Sequence, residues 1–76
     1  MRTMQFKMER PGQVDVGQIV DITEGKLPSS FYYTIEPAVA MSGNYRLAER
    51  LMARQGKVID VEETSRGFFV TCEFNE

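Results

Sequence analysis

Polar and apolar residues alternate one for one through residues 3–9, with Met4, Phe6 and Met8 on one side and Thr3, Gln5, Lys7 and Glu9 on the other. A period of two is the mark of a strand with one buried face. Pro11-Gly12 is a turn or breaker. Val14-Asp15-Val16 alternates again, and Gly17 interrupts it. Residues 18–24 read as a second strand with Val20 and Ile22 on one face. The stretch 25–30, with Gly25, Pro28 and two serines, reads as a loop. Phe31–Glu36 is a third strand, in which Phe31, Tyr33 and Ile35 share one face and Tyr32, Thr34 and Glu36 the other. Pro37 ends that strand or marks an edge.

The period then changes. Residues 38–41 fit either a helical turn or irregular chain. Residues 44–55 carry Leu47, Ala48, Leu51 and Met52 at helical spacing, with Ser42 or Asn44 as the cap and Gly56 as a left-handed terminator. This spacing predicts one helix over 44–55. Residues 57–63 and 68–75 are two more strands, joined by Thr64-Ser65-Arg66-Gly67, where Gly67 suits a positive-φ turn. Phe68, Val70, Cys72 and Phe74 face one way in the last strand, and Phe69 faces the other.

The expected fold class is therefore α+β. It is a single small domain over 1–76, a five-stranded antiparallel sheet or small barrel in the order β-β-β-α-β-β with one helix around 44–55. The expected core gathers Phe6, Leu47, Leu51, Phe68, Val70 and Phe74. Five strands with a helix after the third resemble the order of OB-type barrels. The final hairpin, from Gly56-Lys57-Val58 to Phe74, resembles the glycine-led hairpin of KOW or SH3-like small barrels over about a quarter of the chain. A helix directly before Gly56 departs from that pattern.

Composition narrows the function. With 76 residues, the chain is too short for two lobes and a cleft between them. At 42% hydrophobic and 26% charged residues it has enough apolar content to fold. The net charge of −2 and pI near 5.1 give no global pull toward nucleic acid or anionic membrane. The charge is polarised, however. Arg46, Arg50, Arg54 and Lys57 outweigh Glu49 in residues 44–57, whereas Asp60, Glu62, Glu63, Glu73 and Glu76 outweigh Arg66 in residues 58–76. Cys72 is the one cysteine, so no internal disulfide forms. No signal-like opening and no long apolar run is seen, and a reducing cytoplasm is the expected location.

The chain has no histidine, which removes the commonest general base and metal ligand. Cys72 lies on the apolar face of its strand and reads as a small core residue. Asp60 and Glu62 share a strand face and read as solvated acids. No glycine-rich phosphate loop is present. Catalytic residues, metal ligands and cofactors are accordingly all expected to be none.

Two sets of residues suit binding. Arg46, Arg50 and Arg54, at i, i+4 and i+8 of the expected helix, would line up with Lys57 as a cationic stripe for phosphates or an acidic partner. Tyr32 and Phe69 point away from the core face and suit base stacking or a protein interface. The favoured reading is a non-catalytic protein-interaction or regulatory module, with a protein partner or a second copy in a homo-oligomer. The alternative is a nucleic-acid-binding small barrel using the Arg stripe and the two aromatics. No membrane and no small-molecule substrate is indicated.

Overall fold

A computed structural model describes residues 1–10, 12, 14–36 and 40–76. Six strands form it: β1 (Arg2–Met8), β2 (Ile19–Lys26), β3 (Phe31–Glu36), β4 (Ala40–Ser42), β5 (Gln55–Thr64) and β6 (Gly67–Phe74). They close a barrel in the order β1-β4-β3-β2-β5-β6, every neighbour antiparallel. The choice between an open sheet and a barrel thus resolves to the barrel. Its six strands depart from the five-strand order that the likeness to OB-type barrels implies.

Alternation dictates the interior. Met4, Phe6, Met8, Val20, Ile22, Phe31, Tyr33, Ile35, Val70, Cys72 and Phe74 all point inward, as the period of two requires. Phe68 is half-buried and packs against this core. Phe6 and Phe74 pack as a tilted pair with ring centroids 6.4 Å apart. Gly56 makes room for that pair: a Cβ there would come within 2.5 Å of the Phe74 ring. Its φ is not positive, so it acts as a packing residue inside β5 rather than as a helix terminator. Gly67, at φ 128°, does supply the expected turn.

The helix over 44–55 does not form. This segment runs as an extended strap across one end of the barrel, with one 3-10 turn, Leu47–Glu49, as the only helical element among the described residues. The turn starts at Arg46, which has extended backbone and no side-chain cap. A helix this short draws little stability from its own hydrogen bonds. Long-range partners take the strap's backbone instead. Tyr45 exchanges both backbone bonds with Phe31, and the Arg54 carbonyl accepts from the Ile22 N–H at 2.8 Å. The Glu76 carboxylate accepts from the Met52 and Ala53 N–H groups at 3.0 and 2.8 Å. Only one large apolar side chain of the expected stripe enters the barrel: Leu51 is fully buried, whereas Leu47 is 70% exposed. Leu47 therefore leaves the expected core.

In residues 38–41, Ala40 and Met41 belong to β4; residues 38 and 39 lie outside the described set, as do the breakers Pro11 and Pro37. β2 continues through Gly25 and Lys26, where the sequence suggests a loop. Gly25 lies opposite Tyr32, and a Cβ on it would collide with the Tyr32 ring, so the ring lies over bare backbone.

Candidate functional site

The expected cationic stripe breaks up once the helix is gone. Arg50 and Arg54 turn to one carboxylate, Glu24 on β2. Arg50 donates to both Glu24 oxygens at 2.9 and 2.8 Å, and an Arg54 nitrogen lies 3.6 Å away. The Arg50 guanidinium also lies over the Phe31 ring, 4.8 Å from its centroid. Glu24 accepts a further bond at 2.9 Å from the hydroxyl of Tyr33, whose ring fills the barrel. The same hydroxyl accepts from the Leu51 N–H at 2.8 Å. One carboxylate and one phenol thus pin the strap that carries the Leu51 plug.

The electrostatics follow from these contacts. Arg50's hydrogen bonds hold the Glu24 carboxyl below the ordinary carboxylate range against the upward pull of burial. Tyr33's hydroxyl and the charges of Arg50 and Arg54 add to the lowering. Burial raises Tyr33 above the ordinary phenol range, and the Glu24 carboxylate adds to this. The Arg50 guanidinium is stabilised in turn by Glu24. Arg2 completes the cluster: it donates to the Glu49 and Arg50 carbonyls and lies 3.9 Å from Glu76. It is also 5.7 Å from the Tyr45 ring centroid.

The other expected site residues are dispersed. Arg46 is exposed at the strap's turn. Lys57 is exposed on β5, between Ile19 of β2 and Glu73 of β6. Tyr32 and Phe69 are half-buried on the outer wall, but in different cross-strand rows: Phe69 lies between Glu62 and Lys7, and Tyr32 lies opposite Gly25. A shallow groove borders Phe69, lined by Gln5, Phe6, Lys7, Met41 and Gly43. Arginines 50 and 54 are thus drawn to Glu24, while Tyr32 and Phe69 stand in separate rows of the wall. Cys72 is buried inside the barrel, and burial pushes its thiol up to about 11. Among the described residues, no three acids or cysteines gather as a metal site, and no helix is long and apolar enough to cross a membrane.

A different feature emerges at the seam between β2 and β5. These strands pair only from Ile19–Asp21 to Gln55–Lys57, and the last bonds join Val58 to Gly17 and Gln18. β5 then continues to Thr64, paired with β6 on one side. A bulge falls at this split. The register steps from Val58↔Cys72 to Asp60↔Thr71, leaving Ile59 as the extra residue. Bulges bend and twist the strand that carries them, and here β5 parts from β2. The two-residue turn after Thr64 makes Thr64↔Gly67 a hydrogen-bonded pair. By alternation, Val61 and Glu63 then turn their N–H and C=O groups away from β6. Among the described residues, no backbone bond meets that side of 60–64.

Sequence reasoning missed both features. A tyrosine on a core face was a usable signal for the latch, because a buried phenol needs a hydrogen-bond partner. The run Val58-Ile59-Asp60-Val61, which breaks strict alternation, was the signal for the bulge. Nothing in the spacing points to Glu24. Compared with family models, with curated proteins and with solved structures, the chain finds no match.

Proposed function

We propose that this chain is a non-catalytic protein-interaction module that binds by strand addition. The observation that carries the reading is that, among the described residues, β5 has no backbone partner on its β2 side beyond the Ile59 bulge. An edge with unmet N–H and C=O groups is a template for an incoming strand, which gains main-chain hydrogen bonds along its length. Val16, Ile19 and Ile59 are exposed around the split and offer apolar surface to the same strand. The engagement of Arg50 and Arg54 by Glu24 favours this reading over phosphate recognition by the stripe.

The test is a two-dimensional NMR titration of the labelled chain with extended peptides of about eight residues, long enough to match a strand. Labelled single-stranded RNA at low salt runs beside it, and sedimentation covers a second copy. Shifts confined to residues 59–64, or self-association that protects those amides, support strand addition. Binding of RNA alone, with no peptide or self-association at β5, overturns it.

A further inference from the structure

The open edge carries more than hydrogen-bonding groups. Asp60 and Glu62 point outward from the barrel in the same rows as Thr71 and Phe69, and Glu63 lies opposite Phe68. All three acids are exposed, and none forms an ion pair among the described residues. We propose, building on the strand-addition reading, that the occupant of this edge is a cationic extended segment of another protein. Such a segment would alternate Lys or Arg with β-branched residues.

The register gives the reason. A strand laid beside 59–64 sets its side chains directly opposite those of β5, face by face. Lys or Arg on its outer face meets Asp60 and Glu62, and a β-branched residue on its inner face meets Val61. Opposite charges across a pair are favourable and like charges unfavourable. A second copy offering the same edge would set acid against acid, so charge selects against self-pairing. Charged side chains on an edge are a common protection against aggregation. Here they admit one kind of strand while repelling the chain's own.

The experiment uses three synthetic peptides of about eight residues: one alternating Lys with Val and Thr, one with Glu for Lys, and one with Gln for Lys. The Lys peptide is expected to bind, to slow exchange of the Val61 and Glu63 amides, and to weaken as salt screens the pair. The Glu peptide is expected not to bind, and the Gln peptide to bind at least tenfold more weakly. Three variants localise the effect. Glu63→Pro removes an outward N–H from an exposed edge position, where proline is tolerated, without touching the ladder to β6. It should abolish binding, whereas Glu63→Gln should weaken it only a few-fold. The triple variant D60N/E62Q/E63Q keeps every backbone donor and should erase the preference for the Lys peptide. Equal binding of the Gln and Lys peptides at residues 59–64 overturns the cationic assignment and leaves strand addition standing. Dimers dissolved by Glu63→Pro overturn the assignment in favour of a second copy. Failure of all three peptides, with no self-association, overturns both readings.

Discussion

Removing a single oxygen, in Tyr33→Phe, tests whether the strap is held by the latch or only by its own packing. The Tyr33 hydroxyl does two things: it accepts from the Leu51 N–H at 2.8 Å and donates to Glu24 at 2.9 Å. Phenylalanine keeps the ring and its packing. It strands a buried N–H, at a cost of about 1–3 kcal/mol, and removes one bond to a charged group. Glu24 retains its two bonds from Arg50, so the second loss falls at the low end of the range for such bonds. The total is about 2–4 kcal/mol. A domain of 76 residues has roughly 4–11 kcal/mol of stability to lose, and about 4–8 °C of Tm goes with each kcal/mol at this size. Urea unfolding followed by far-ultraviolet circular dichroism should show the midpoint falling with the slope unchanged, and thermal melts a drop of roughly 10–30 °C. Tyr32→Phe is the control. Its ring lies on the outer wall, and the change should stay within about 0.5 kcal/mol. A Tyr33→Phe loss as small as the control's would mean that water satisfies the Leu51 N–H and that the latch does not hold the strap.

The strap separates two leucines that a helix would have grouped, so Leu51→Ala should cost about 2–5 kcal/mol and Leu47→Ala no more than about 0.5 in the same unfolding assay. Gly56→Ala should destabilise by about 1–3 kcal/mol, because its Cβ meets the packed Phe74 ring, and a Gly56→Ala/Phe74→Leu pair should recover part of the loss. Stability should also depend on pH at both ends. Glu24 is depressed below its ordinary 4.5, so its contribution is present above about 4.5 and fades as pH falls through the folded value; Glu24→Gln should flatten that acid limb. Cys72 rises from 9.0 to about 11 and Tyr33 rises above 10.0, so their contributions hold below pH 9 and are lost as pH climbs toward 11. Cys72→Ala should make that alkaline limb shallower, and the native thiol should label slowly at pH 8 and quickly in denaturant.

Five of the six strands were legible because each has one wet face and one dry face, whereas the three-residue β4 was not. Met4, Phe6 and Met8, or Val70, Cys72 and Phe74, announce their burial by period alone. Barrel closure was not legible, since a closed ring and an open sheet ask for the same alternation. The helix failed for a physical reason. Leu47, Ala48, Leu51 and Met52 fit a helical face, but local spacing cannot register a tyrosine hydroxyl on β3 and the Glu76 carboxylate beyond β6. Those groups offer Leu51, Met52 and Ala53 better hydrogen-bond partners than a further helical turn would. The arginine stripe was an artefact of that helix. The i, i+4 spacing of Arg50 and Arg54 still matters, but as reach toward Glu24 from an extended chain. The acidic run was visible as charge, whereas its place on an open edge depends on a bulge that only the pairing register exposes.

The latch and the open edge lie at opposite ends of β5, and the order is informative. Gln55 begins the strand next to the strap, and the acids come five to eight residues later, past the Ile59 bulge. At about 3.3 Å per residue the separation is roughly 16–26 Å. The end that closes the barrel is held by Leu51 and Glu24, so the far end need not be zipped for the fold to stand. Pairing β5 to β2 along its whole length would have removed the edge. It would also have needed β2 to start several residues earlier, where Gly17 bends the chain at φ 95°. Val14 is buried just before that bend and belongs to the core. Among the described residues, the core thus stays covered while β5 beyond Ile59 meets no second strand on its β2 side. On the proposed reading, a strand from outside would pair along this side without exposing the core.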